Sequence, residues 1–275
     1  MCIRDRIVGV DSRENLSAEQ QAAFGSTPLA RADIVLVLRV PDDGSGPVLL
    51  SIPRDLLILG NDSGLHRLAL EWLAGPQAFV DTMCRSLGIG ADHLVRVELA
   101  GFIEIVDAVG GIDVEFASAL RDTVIDFSVE EGVQHLDGAR ALQYVRARHL
   151  EYSTAYGWFP YDNARDGRAQ TVLERVAGKA EIGRGPLALH RLVWGATGAV
   201  AVDDSTGLRD LAGMARAMRQ VSPEHTLALP VEPQTGPIPF AEAGPEAPDL
   251  LERVGAGGEC AVPVGLGARD SPGSP

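Results

Sequence analysis

The sequence predicts an α/β fold, and three observations carry that reading. Apolar, β-branched runs at Ile7–Val10, Ile34–Val40 and Val48–Ile52 have the near-continuous character of strands buried on both faces. Segments with helical spacing, among them Leu65–Leu87 and Thr206–Val221, follow, so strands and helices alternate along the chain. At 275 residues and 45% apolar content, the chain can also bury a substantial core.

In order, Ile7–Val10 delivers Asp11-Ser12-Arg13 at its C-terminal end, and the polar stretch Glu14–Ala30 separates it from the next run. Ile34–Val40 reads as a central strand entered through Arg31-Ala32-Asp33. The turn formers Pro41–Gly46 join it as a hairpin to Val48–Ile52, which runs into Pro53-Arg54-Asp55. Leu65–Leu87 reads as two helices interrupted at Gly75-Pro76, with His66 structural rather than a ligand. Leu94–Leu99 alternates like a strand, Phe102–Val109 is a helix stopped by Gly110-Gly111, and Ile112–Phe116 is a strand. Leu136-Asp137-Gly138 opens a helix through Val145, and further helices are expected at Gln170–Ala180, Pro186–Gly198 and Thr206–Val221. His225–Pro230 is a late strand. From Val231 the chain is rich in Gly, Pro, Ala and acids and reads as a loosely ordered tail.

Charge and cysteines narrow the function classes. A net charge of −14 and the lack of a basic stripe or helix-turn-helix argue against nucleic-acid binding and against direct transcriptional regulation. Cys2, Cys84 and Cys260 are too few for a disulfide framework and have no metal-site spacing; one pair, such as Cys84 with Cys260, suits an oxidising compartment. No run is long and apolar enough to span a membrane, and MCIRDRIVGV has no signal-peptide core, which taken alone points to the cytoplasm.

Two groups of residues stand out chemically. Asp11, Arg13, Arg31, Asp33, Arg54 and Asp55 sit at strand ends or entries, where ligands of open α/β sheets gather; surface ion pairing is the bland alternative. The stretch Gly132–Leu173 carries Arg146, Arg148, Arg165 and Arg168, and guanidinium forks match phosphate oxygens. Arginine supplies 23 of the 24 basic residues, Lys179 being the exception, so part of this clustering is simply the chain's default cation.

With these residues placed, the chain resembles the LytR–CpsA–Psr family. The matching motifs are GVDSR at Gly9–Arg13, RAD at Arg31–Asp33, LLSIPRD at Leu49–Asp55, HLVRVELAGFIEIVDAVGGIDV at His93–Val114, LDGARALQYVRAR ending at Arg148, and D-x-x-R-x-x-R-x-Q at Asp162–Gln170. The resemblance implies one domain over residues 1–230, with a central mixed β-sheet flanked by helices on both faces, and a tail over 231–275. It implies an enzyme that moves a phosphoglycan from a polyprenyl-pyrophosphate carrier to a peptidoglycan hydroxyl, using Mg²⁺ or Mn²⁺. By position, Asp11 and Asp33 hold the metal, and Arg54, Arg146, Arg148, Arg165 and Arg168 grip the pyrophosphate. Arg31 and Asp55 support them, and Gln170 stands in for a phosphate-binding glutamine; Arg54, Asp55, Arg146 and Arg148 are the expected catalytic group.

The chain departs from the family at two places. The terminal motif usually reads D-x-G-R-x-x-R-Q-Q, whereas Ala164 and Ala169 stand here; a register on Gly167-Arg168 exchanges the roles of Arg165 and Arg168. Family members also carry a transmembrane helix before the first strand, so MCIRDR is expected to be a truncated, non-native start of a membrane-anchored, extracytoplasmic protein. Two other activities fit the same residues: a non-catalytic polyprenyl-phosphate-binding regulator of the envelope, and a polyprenyl-pyrophosphate hydrolase.

Overall fold

Ala32–Val40 and Val48–Ile52 pair antiparallel as β2 and β3, with Arg39 opposite Val48 and Val35 opposite Ile52. The computed structural model describes residues 3–10, 31–41, 44–161, 165–180, 200–234 and 240–256. The helix expected at Pro186–Gly198 and the polar stretch Glu14–Ala30 lie outside the described residues. β2 is preceded by β1 (Ile3–Val10), which starts four residues earlier than expected. After β3 come β4 (Leu57–Leu59), β5 (Leu65–Arg67), α1 (Leu68–Glu71), α2 (Pro76–Leu87), β6 (His93–Glu98) and α3 (Leu99–Ala108). The chain continues through β7 (Ile112–Phe116), β8 (Leu120–Asp122), β9 (Phe127–Val129), β10 (Gly132–Leu136) and α4 (Gly138–Arg146). It then forms β11 (Glu151–Thr154), β12 (Gly157–Pro160) and α5 (Arg165–Ala180). Last are β13 (Val200–Val202), α6 (Leu208–Gln220), β14 (Thr226–Ala228), β15 (Val231–Gln234), β16 (Phe240–Ala243) and α7 (Ala247–Arg253).

Contacts divide the chain into two compact units. The first takes Met1–Ser12, Pro28–Val97 and Val200–Pro275. Its sheet has the order β13-β6-β1-β2-β3-β14 and is mixed, because β14 runs parallel to β3 while β1–β2 and β2–β3 are antiparallel. Alternation along β2 and β3 sends Val35, Val37, Leu50 and Ile52 to one face, where Leu68, Trp72, Phe79, Met83 and Leu87 pack on them. Trp72 and Phe79 meet edge to face, their centroids 5.4 Å apart. Leu36, Leu38 and Leu49 point the other way and are equally buried. Helix α6 contacts β2 and buries Met214 and Ala217, neither of which belongs to the first cluster. The sheet is thus buried on both faces, as its apolar runs require.

Helix α2 starts with Pro76 at its first turn and stops at Gly88, whose φ of 65° lets its N–H reach the Cys84 carbonyl at 2.8 Å. Cys84 is disulfide-bonded; the other cysteines lie outside the described residues.

Two expectations fail in this unit. Leu65–Arg67 is strand, not the start of a helix: it pairs with β4, leaving Leu65 exposed, and the helical spacing becomes productive only from Leu68. Within that strand His66 Nε2 lies 2.8 Å from Asp62 Oδ1. The segment after Val231 is not a loose tail as far as Ala256. β15 and β16 form a hairpin, and α7 buries Ala247 and Leu250 in the core, with Val231, Leu251, Val254 and Ala256 packed against it, so a few apolar residues dock an otherwise polar segment.

The second unit takes Arg13–Thr27 and Glu98–Ala199. Helices α3 and α4 pack through Leu99, Ala100, Ile103 and Leu142. They approach so closely that a Cβ on Gly138 would lie 2.3 Å from the Ile103 carbonyl oxygen, so only glycine fits. Asp137 caps α4 by accepting the Arg140 N–H at 2.8 Å. β7 pairs with β10, and a separate sheet has the order β12-β11-β8-β9. Tyr144 of α4 packs against Phe116 and Phe127 at 5.3 and 5.9 Å between centroids.

Candidate functional site

In the first unit, Asp33, Arg54, Asp55 and Arg67 form one connected group. β3 runs into a turn in which the Leu56 N–H reaches the Pro53 carbonyl at 3.0 Å. The carbonyls of Arg54 and Asp55 accept the N–H groups of Ala69 and Ala241, both at 2.9 Å, so the backbone bearing both side chains is fixed from two directions. Arg54 is the hub. Its Nη1 donates to Asp33 of β2, and its Nε donates to Asp55 at 3.3 Å. Arg67 adds a second cation, donating to the other oxygen of Asp55 at 3.4 Å. Burial opposes the charge on Arg54, but Asp33 and Asp55 outweigh it and hold the guanidinium above its ordinary pKa. Arg31, exposed, immediately precedes β2. Asp11 and Arg13 lie outside the described residues.

The second unit positions its arginines by different means. Helix α4 ends at Arg146, and the chain turns away at Ala147. Asp122, 1% exposed at the end of β8, accepts the N–H groups of Arg148 at 3.0 Å, His149 at 2.9 Å and Val124 at 2.9 Å. Burial pushes the Asp122 carboxyl up, but the amides of His149, Val124, Arg148 and Ile125 outweigh it and hold it below the usual carboxylate range. Arg168 of α5 is 4% exposed; its Nη2 donates to the Ala147 carbonyl and its guanidinium lies 5.9 Å from the centre of the Tyr144 ring. Ala147 is therefore tied between Arg146 and Arg148 from both neighbouring elements. The Arg148 side chain is exposed and has no ion pair among the described residues. Arg165 and Gln170 lie on α5, which begins five residues earlier than the expected Gln170–Ala180, and Ala169, in place of the family's glutamine, is 2% exposed.

The structure thus joins Arg54, Asp55 and Asp33 in the first unit and Arg146, Arg148 and Arg168 in the second. Sequence reasoning missed Arg67, Asp122 and Tyr144. Asp122 had no local signal, since a lone aspartate in a turn-rich segment is ordinarily solvated. Tyr144 had one: it lies at the buried spacing within the helix that ends in Arg146.

A mixed α/β protein with arginines held at a strand end and at a helix end defines the class, one suited to anionic ligands. The chain belongs to the LytR_cpsA_psr family, whose model matches residues 6–230. The probable cell wall biosynthesis protein LcpB of Corynebacterium glutamicum is 35% identical over 146 residues, covering 52% of this chain and 35% of that protein. The polyisoprenyl-teichoic acid–peptidoglycan teichoic acid transferase TagU of Halalkalibacterium halodurans is 33% identical over 176 residues, covering 62% of this chain and 50% of that one. The solved LytR-Csp2A-Psr enzyme from Actinomyces oris superposes with a TM-score of 0.73 at 30% identity, covering 92% of this chain and 90% of that one. The chain spans about a third to a half of the length of the curated relatives it matches.

Proposed function

We propose that this chain is the ligase domain of a cell-wall glycopolymer transferase, moving a phosphoglycan from a polyprenyl-pyrophosphate carrier to a hydroxyl of peptidoglycan. The observation that carries the reading is the exposed guanidinium of Arg148, without an ion pair among the described residues, on a backbone held by the buried Asp122. Phosphoryl transfer asks the protein to position groups and to neutralise developing charge, and charge fixed in advance does both. In this reading Arg146 and Arg148 grip the pyrophosphate, with Arg165. Arg168, buried against Tyr144 and Ala147, positions their loop instead of meeting substrate. Arg54, with Asp55 and Arg67 behind it, supplies charge at the strand end, and Arg31 adds an exposed cation at the entry to β2. Gln170 sits on α5, beside the motif's arginines in sequence.

The acceptor hydroxyl oxygen forms the new bond to phosphorus as its proton passes to a carboxylate or to water, the bond from phosphorus to the bridging oxygen breaks, and polyprenyl phosphate leaves with the electron pair. Among the described residues no cluster of three or more His, Cys, Asp or Glu stands ready as an all-protein metal cage. An Mg²⁺ that takes one or two carboxylates with phosphate oxygens and water does not need such a cage. Asp33, with Asp11, would hold it, and it would neutralise charge on the phosphate oxygens.

This reading places the chain on the extracytoplasmic face of the membrane through an anchor; relatives named for cell-wall biosynthesis support association with the envelope, and the disulfide at Cys84 suits an oxidising compartment. Among the described residues no helix is long and apolar enough to cross a membrane.

The test combines the domain, Mg²⁺, a short-chain polyprenyl-pyrophosphoryl sugar and peptidoglycan fragments, and follows release of polyprenyl phosphate. Release that needs metal, yields glycan on the fragments and vanishes in Arg146→Ala and Arg148→Ala, both still folded, is the expected result. Release with water as the only acceptor would identify a hydrolase, and tight binding without release a regulator.

A further inference from the structure

Tyr144 is 5% exposed, and three neighbours fix its ring. Phe116 meets it edge to face at 5.3 Å, Phe127 stacks on it at 5.9 Å, and the Arg168 guanidinium lies 5.9 Å from its centre. A buried phenol ordinarily finds a hydrogen-bond partner. This hydroxyl has none among the described residues, and its oxygen is not sealed from solvent. The ring is therefore held as a core residue while the hydroxyl reaches the surface with its bonding capacity unused.

The residues around that hydroxyl place it by the loop that carries Arg148. Tyr161 and Arg168 both act electrostatically on the phenol. Arg168 Nη2 donates to the carbonyl of Ala147, and the Tyr161 N–H donates to the carbonyl of Leu150 at 2.7 Å. Ala147 and Leu150 are buried and bracket Arg148 and His149, whose side chains are exposed. The two neighbours of the phenol are thus the two residues that hold the ends of this loop. Burial and Tyr161 push the phenol pKa up, Arg168 opposes them, and the balance lies above the ordinary value. At neutral pH the group is a protonated donor, the form from which an anionic oxygen accepts.

We propose that the Tyr144 hydroxyl donates a hydrogen bond to a phosphate oxygen of the pyrophosphate gripped by Arg146 and Arg148. The identity of that ligand rests on the ligase reading; the unused donor rests on the geometry. Tyr144 precedes Arg146 by two residues on α4, so one helix carries both the phenol and a guanidinium. A hydroxyl on a ring packed between Phe127, Phe116 and Arg168 sits at a fixed position, and a donor fixed in advance orients a phosphate without reorganising.

The experiment measures, by calorimetry, the affinity of the chain for inorganic pyrophosphate, with Tyr144→Phe removing only the hydroxyl. The expected loss is at least about fivefold, that of one hydrogen bond to a charged acceptor. The thermal midpoint of Tyr144→Phe is expected to stay within about 2 °C of the parent, because the hydroxyl makes no hydrogen bond among the described residues. Affinity indifferent to Tyr144→Phe overturns the proposal, as does a parent chain that does not bind pyrophosphate. So does a midpoint lowered beyond that margin, which would make the hydroxyl part of the fold. Arg148→Ala in the same titration keeps this result apart from the ligase reading. Binding that needs Arg148 but not Tyr144 removes the contact and leaves the anion site. Binding that needs both, with no polyprenyl phosphate released from the lipid-linked sugar, upholds the contact and sinks the ligase.

Discussion

Arg54 in the first unit and Arg148 in the second both follow the end of a regular element, yet carboxylates hold them in opposite senses. Asp33 and Asp55 take the guanidinium of Arg54 itself, with Arg67 sharing Asp55, so the group is a charge-balanced cluster of two cations and two anions. Asp122 instead takes the backbone N–H groups of Arg148 and His149 and leaves the guanidinium exposed. The first arrangement pairs the charges of Arg54, Arg67, Asp33 and Asp55 with one another. The second keeps a positive charge open on a rigid frame, and it is the one that can receive a dianion without first breaking an ion pair.

The largest effect that separates the two concerns activity. Arg148→Ala is expected to lower the rate of polyprenyl phosphate release by about 10²- to 10³-fold, the usual cost of one fixed charge at a developing anion. Its unfolding free energy should move by no more than about 0.5 kcal/mol, because the side chain is exposed and makes no ion pair among the described residues. Urea titration of both proteins checks the second half. A comparable loss of stability would erase the contrast with Arg54.

Asp122→Ala reverses the pattern. Three amide N–H groups lose their shared acceptor in a site that is 1% exposed, and the expected destabilisation is about 3 kcal/mol. Activity falls with it, because the Arg148 backbone is no longer held. The same residue sets a pH dependence. Its folded pKa lies below the unfolded value, so its contribution is complete above the unfolded pKa of about 3.9 and is lost as pH falls from there through the folded value. Urea midpoints between pH 6 and 3 should therefore drop more steeply in the parent than in Asp122→Asn. Parallel curves would show that Asp122 is not the ionised clamp.

These contrasts also explain what could be read from the chain. β2 and β3 were legible as near-continuous apolar runs because both of their faces are buried, and α6 because it buries one face and so repeats at 3.6 residues. The hairpin β11–β12 was not, since its residues are half-buried or exposed on both faces and its aromatics look like loop decoration. The docked α7 hid for a related reason: two buried residues, Ala247 and Leu250, carry too little pattern to be seen in an acidic segment. Within the site, Arg54, Arg146 and Arg148 were readable as motif residues. What holds them was not, because Asp122 and Arg67 act across 26 and 12 residues of sequence, and no local spacing encodes such partners.

The smallest expected effect tests the charge-balanced cluster. Arg54→Lys keeps the charge but replaces a fork that bridges Asp33 and Asp55 with a single ammonium, which can serve one carboxylate well and not both. Arg54 and Asp33 are only 25% and 19% exposed, so the loss should exceed that of a surface pair, at about 1 kcal/mol. A double-mutant cycle with Asp33→Asn isolates the bridge, and the two substitutions should be non-additive by a similar amount. Additive losses would mean that Arg54 and Asp33 act independently, and the strand end would then resemble the open site of the second unit instead of contrasting with it.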